Sequence, residues 1–79
     1  MRVRVLYFAS LRDAAGHDEE TLDVATVSLA QLYDDARERH GFAFPRERLR
    51  VARNGAFSDW DDIAANGDEI AFIPPVSGG

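Results

Sequence analysis

The residues best placed to do chemistry stand at the end of the chain, Pro74-Pro75-Val76-Ser77-Gly78-Gly79, after the strand-like run Ile70-Ala71-Phe72-Ile73. Neither proline has an amide hydrogen to give to a sheet, so the strand is expected to stop at Ile73 and the chain to leave the body extended. Glycine carries no Cβ, and a Gly-Gly end can thread an opening that any side chain would block. The group expected to react is the α-carboxylate of Gly79, with Gly78, Ser77, Val76 and Pro75 as the segment that threads into a partner. A carboxylate is a poor electrophile because hydroxide is a poor leaving group, so Gly79 must be activated before anything attaches to it. Gly-Gly alone would fit an idle tail; the Pro-Pro-Val-Ser lead-in after Gly67-Asp68-Glu69 makes the pattern specific.

Other chemistries lack their parts. The chain has no cysteine, and His17 and His40 stand far apart without a ligand motif. Neither a Ser-His-Asp nor a Cys-His arrangement can be assembled from these residues. Asp34-Asp35 and Asp61-Asp62 lack the spacing and closing glutamate of a calcium loop. They are better explained as solvated faces. No glycine-rich phosphate loop is present. The chain is therefore expected to bind no metal or cofactor and to supply no catalytic side chain. Any sulfur it carries would not sit on a side-chain thiol.

The run from Asn66 to Gly79, NGDEIAFIPPVSGG, resembles the C-terminus of the molybdopterin synthase small subunit. Val5-Leu6-Tyr7-Phe8-Ala9-Ser10-Leu11-Arg12-Asp13 resembles that family's opening strand and following turn. One departure is Arg53, where the family more often has an apolar residue before the asparagine. The resemblance implies a sulfur carrier of the ubiquitin-like β-grasp family. An E1-like adenylating enzyme would activate Gly79 with ATP and magnesium, and a persulfide donor would displace AMP to leave a thiocarboxylate. The large synthase subunit would then take the sulfur to cyclic pyranopterin monophosphate, building the dithiolene of the molybdenum cofactor. Carriers for thiamine thiazole or transfer-RNA thiolation share fold and tail, and a ubiquitin-like protein modifier would form isopeptide bonds through Gly79. The Phe-Ile-Pro-Pro-Val-Ser-Gly-Gly ending favours the molybdopterin branch.

Length and composition bound the rest. A chain of 79 residues has room for one core, and 46% hydrophobic residues must stabilise it without disulfides. No apolar stretch reads as a signal peptide or a membrane span, so a cytoplasmic protein with no membrane partner is expected. A net charge of −5 argues against nucleic acid and for docking on a basic partner. All nine basic residues are arginine. That would deny an activated C-terminus an acceptor amine, but codon bias explains it as well and is preferred.

Those residues need a scaffold, and the hydrophobic pattern predicts one. In residues 2–8, Val3, Val5 and Tyr7 alternate with Arg4, Leu6 and Phe8, which marks a strand. Leu11 to Ala15 reads as a turn or helical turn closed by Gly16, and Thr21 to Val24 as a second strand. Ser28 and Gln31 form a capping-box pattern ahead of an apolar stripe at Leu29, Leu32, Tyr33 and Ala36, with Gly41 as the C-cap. Leu49 to Arg53, the Asn54-Gly55 turn and a short return from Ala56 read as a hairpin. Asp59 to Ile63 reads as a single helical turn, and Glu69 to Ile73 as the last strand.

The expected class is α+β: a β-grasp with a mixed sheet of about five strands and one main helix across one face. Residues 1–75 would form that domain and 76–79 a flexible tail. Its first and last strands would lie parallel and central. Strand parity then places Phe8 and Ile73 on the uncovered face, where Phe57 can join them as a docking patch. Arg12 is added as a polar partner contact on the strength of the resemblance.

Overall fold

Alternation in the first strand decides the layers. In the computed structural model, which describes residues 1–75, β1 (Arg2–Tyr7) buries Val3, Val5 and Tyr7 and leaves Arg2 and Arg4 exposed. The chain continues through α1 (Ala9–Ala15), β2 (Glu19–Asp23), α2 (Leu29–His40), a 3-10 turn (Arg46–Arg48), β3 (Arg50–Arg53), β4 (Ala56–Ser58) and β5 (Glu69–Ile73). The strands form one five-stranded sheet in the order β2-β1-β5-β3-β4. β1 and β5 lie parallel at its centre, and the other neighbours are antiparallel. This is the β-grasp arrangement, with α2 across one face.

α2 forms where its stripe and caps agree. Leu29, Leu32, Tyr33 and Ala36 are buried, and the Ser28 side chain accepts a hydrogen bond from the Gln31 amide at 3.1 Å. The expected capping box is half made: the Gln31 side chain donates to Asp35 one turn on, at 2.8 Å, instead of reaching back. Gly41 ends the helix at φ 73, a conformation that a Cβ opposes. Beneath the helix, Tyr33 and Trp60 flank Phe72, with ring centroids 5.1 and 6.1 Å from it. Val5, Ile70 and Val51 complete this side of the sheet.

Two local expectations need correction. The segment after β1 is a seven-residue helix that starts at Ala9, not a turn from Leu11. Leu11 is its one buried residue and Phe8 caps it without a side-chain hydrogen bond, so neither a stripe nor a cap announces it. Asp59 to Ile63 forms a hydrogen-bonded turn, Asp62 amide to Asp59 carbonyl at 3.0 Å, without continuing into a helix.

Two turns that lie beside the start of β5, Asn54-Gly55 and Asn66-Gly67, are tied together. Asn54 and Gly55 both have positive φ, 52 and 86, as a two-residue hairpin of the primed type requires. The Asn54 side chain accepts from the Glu69 amide at 2.9 Å and donates to Asp68 at 3.0 Å. Asp68 also accepts from the Ala65 amide at 2.8 Å. That backbone bond, with the Asn54 contact and the Arg53 charge, holds its carboxyl below the usual range although burial opposes it. Asp68 thus sets where β5 begins, and β5 carries the chain to Pro74 and Pro75.

Candidate functional site

One residue along from the core positions, the same strands build a different surface. Leu6 and Ala71 are register partners, as are Ala71 and Ala52, and Ala52 and Phe57. The row therefore crosses β1, β5, β3 and β4 on the face opposite α2. Two alanines side by side make low ground, while Phe8, Ile73 and Phe57 stand up around it. The result is a groove of about 300 Å³. Phe57 is 66% exposed and Phe8 46%, among the most exposed large apolar side chains described.

The groove brings together Phe8, Phe57 and Ile73, which are scattered through the sequence. Phe8 follows β1 and its carbonyl accepts the Leu11 amide at 3.0 Å, so the start of α1 fixes its backbone. Ala9 beside it takes the left-handed region at φ 50, which costs about 1 kcal/mol for a residue with a Cβ. Arg12 does not join them. It lies on α1, 3.8 Å from Asp18, and lines a separate polar depression with Asp13 and His17. Pro75 is exposed and Pro74 buried at the end of β5. The readings made for Val76, Ser77, Gly78 and Gly79 fall outside the described residues.

The two ends of the open face differ in charge. Where β5 starts, Arg4 pairs with both Glu69 and Glu19. Where β5 ends, Arg50 is the register partner of Ile73, and its guanidinium lies 5.2 Å from the centre of the Phe57 ring. A larger polar hollow of about 550 Å³ lies between α2 and the 3-10 turn, where Arg46 and Asp34 approach to 3.7 Å. Its charges are mixed and it lies away from the end of β5, so it is the weaker candidate.

A polar cluster at the sheet edge carries no sequence signal. Glu20 on β2 accepts from the Tyr7 hydroxyl at 2.6 Å and lies 2.8 Å from His40 Nε2, with Arg39 at 3.4 Å. Burial, reinforced by Glu20, pushes the Tyr7 hydroxyl well above the usual tyrosine range. Partial burial alone would raise the Glu20 carboxyl, but the hydrogen bonds from Tyr7 and His40 and the Arg39 charge outweigh it and hold it low. These groups come from β1, β2 and the end of α2, so spacing along the chain could not reveal them. They fasten the helix to the sheet. Among the described residues, no three His, Cys, Asp or Glu side chains gather as a metal site. No described helix is long and apolar enough to cross a membrane.

Known proteins share this arrangement. The profile of the ThiS family matches residues 5–79. The molybdopterin synthase sulfur carrier subunit of Escherichia coli K12 is 35% identical over 80 residues, covering 98% of this chain and 99% of that protein. Its human counterpart is 36% identical, covering 99% of this chain and 94% of that protein. Among solved structures, SAMP1 of Haloferax volcanii superimposes with a TM-score of 0.83 at 28% identity, covering 100% of both chains.

Proposed function

Since the chain belongs to the ThiS family, we propose that it is a sulfur carrier of molybdenum-cofactor synthesis, loaded with sulfur at Gly79. The observation that carries this is the path of β5. It runs under the apolar groove and ends at Pro74-Pro75, so a protein seated on Phe8, Phe57 and Ile73 lies beside the root of the tail. The match to the Escherichia coli carrier subunit spans 99% of that protein. Its sequence similarity supports the choice of pathway, and its being a subunit of a synthase supports a larger subunit as partner.

The chemistry divides between carrier and partners. A Gly79 carboxylate oxygen attacks the α-phosphorus of ATP in an E1-like adenylating enzyme, and pyrophosphate leaves. The terminal sulfur of a persulfide then attacks the acyl carbon, and AMP departs with the bonding electron pair. A thiol cleaves the resulting acyl disulfide, forming a new disulfide and freeing the thiocarboxylate. In the large subunit the sulfurs of two carriers each replace an oxygen on a side-chain carbon of cyclic pyranopterin monophosphate. One oxygen leaves on the phosphate as its ring opens and the other as water, and water hydrolyses each acyl–sulfur bond to restore Gly79. Two carriers in turn supply both sulfurs. The carrier's part is position: the groove seats the partner and the thin tail brings the sulfur to substrate, while the partner supplies acid, base and electrostatic groups.

The test is intact mass. With ATP, magnesium, the adenylating enzyme and a persulfide donor, the chain should gain the mass of one oxygen exchanged for sulfur, mapped to the peptide ending in Gly79. The large subunit and cyclic pyranopterin monophosphate should return it to the starting mass. Discharge by a thiazole precursor or transfer RNA alone would keep the carrier class and refute the molybdopterin pathway. The likeness to SAMP1, small archaeal modifier protein 1, favours a second reading as a protein modifier. ATP-dependent ladders joined through Gly79 to lysines of other proteins would establish it.

A further inference from the structure

Six of the nine arginines in this chain are neutralised on the spot. Arg2, Arg4, Arg12, Arg39, Arg46 and Arg53 each pair with an Asp or Glu. Arg37 donates to the Phe42 carbonyl at 3.1 Å, and Arg48 lies over the Phe44 ring. Arg50 has no carboxylate partner among the described residues, although the chain carries 14 acidic side chains. It is exposed, it rests on Phe57, and its register partner is Ile73, so it stands at the rim of the groove and beside the end of β5.

Taking the groove as the docking surface of a molybdopterin synthase carrier, we propose that Arg50 is a specificity-determining contact. Its guanidinium, steadied over the Phe57 ring, receives a carboxylate of the large subunit that docks there. Charge complementarity selects this occupant. A guanidinium beside an apolar floor matches a partner surface that combines an apolar side chain with an acidic one, and its planar fork donates two parallel hydrogen bonds to a carboxylate. A phosphate would call for several converging donors, and Arg50 stands alone at this rim. The ring holds the cation without neutralising it, so less side-chain freedom is lost when the carboxylate arrives.

The pair also reads orientation. At the opposite end of the face Arg4 is already satisfied by Glu19 and Glu69. A partner docked the wrong way round would place its carboxylate against those acids and leave Arg50 facing apolar surface. One charge left unpaired at one end of a groove is enough to distinguish the two directions. The correct direction is the one that puts the partner's active site beside the end of β5.

Titration of the full-length carrier against the large subunit, in dilute and in about 0.5 M salt, separates the possibilities. Arg50→Glu should weaken binding at least about tenfold in dilute salt, with a smaller deficit in high salt, and Arg50→Gln should fall between it and the wild type. Thermal midpoints should not move, because the side chain is exposed. Wild-type affinity in Arg50→Glu, with Phe57→Ala still weakened, would overturn the role of Arg50 and leave the groove as the docking surface. Tighter binding by Arg50→Glu would show a basic group opposite and overturn it equally. Full affinity in both variants would remove the groove as well. Failure of the wild type to bind would refute the proposed function itself.

Discussion

On the covered face of the sheet, Val5, Tyr7, Ile70 and Phe72 are 0% to 2% exposed, whereas on the open face Phe8 is 46% and Phe57 66% exposed. The backbone and its hydrogen bonds are shared; what differs is whether a helix lies on top. Each large side chain under α2 contributes about 1.5 to 3 kcal/mol by leaving water. The same kind of side chain on the other face gains only part of that until a partner covers it. The difference teaches that strand parity divides labour in this small domain: one set of positions stabilises the fold, and the alternate set is free for recognition. Mutations one residue apart should therefore produce unlike defects.

The sharpest separation is expected at the tail. Deleting Gly79, or adding one residue after it, should abolish sulfur transfer in a pterin-conversion assay while circular dichroism shows an unaltered fold. Activity in the extended variant would break the carrier mechanism. Next in size is the covered face. Phe72→Ala should cost about 3 to 5 kcal/mol by urea denaturation, from lost burial and the cavity left among Tyr7, Tyr33 and Trp60. That is a large share of the stability available to a domain of this size. The fraction still folded should bind the large subunit normally.

Phe8→Arg, on the open face, should reverse the pattern. Its thermal midpoint should stay near that of the wild type, while affinity for both partner enzymes falls at least about tenfold. A large loss of stability with normal affinity would show that Phe8 belongs to the core and that the two faces do not divide the work.

The smallest effect tests the edge of the covered face. The native Glu20 carboxyl is held below its usual range, so its contribution to stability is complete above the unfolded value and is lost as pH falls through the folded one. Glu20→Gln should be less stable by about 1 kcal/mol at neutral pH, and the gap should close as acid takes the pH below the usual carboxylate range and through the lowered folded value. Thermal melts across that window measure it. A gap that persists in acid would mean that shape, not charge, fastens His40 and Tyr7 to the sheet.

Much of this molecule was legible locally because its signals are local. Alternation in residues 2–8 and 69–73, the Asn54-Gly55 turn, Ser28 and Gly41 each act on their own neighbours and need no distant partner to be read. α1 escaped because a short helix with one buried residue has no stripe, and its cap residue is a phenylalanine. Gln31 differs from its expected role because its side-chain amide could either accept from the Ser28 amide or donate to Asp35 on the same helix, and the Asp35 bond formed.

The amino-acid sequence by itself determined the strand parity, the main helix and its caps, the hairpin, and a Pro-Pro-Val-Ser-Gly-Gly end that resembles a carrier's tail. The tertiary structure alone decided which residues meet across strands. Register between β5, β3 and β4 placed Phe57 and Ile73 around two alanines, and the crossing of α2 brought His40 to Glu20 and Tyr7. It also put Arg50 on Phe57 while its fellow arginines found carboxylates or carbonyls or, as Arg48 did, another ring. The physical reason is that sequence spacing governs contacts within a helix turn or along a strand. Contacts between distant segments depend on how the whole chain closes around its core, which no single segment encodes.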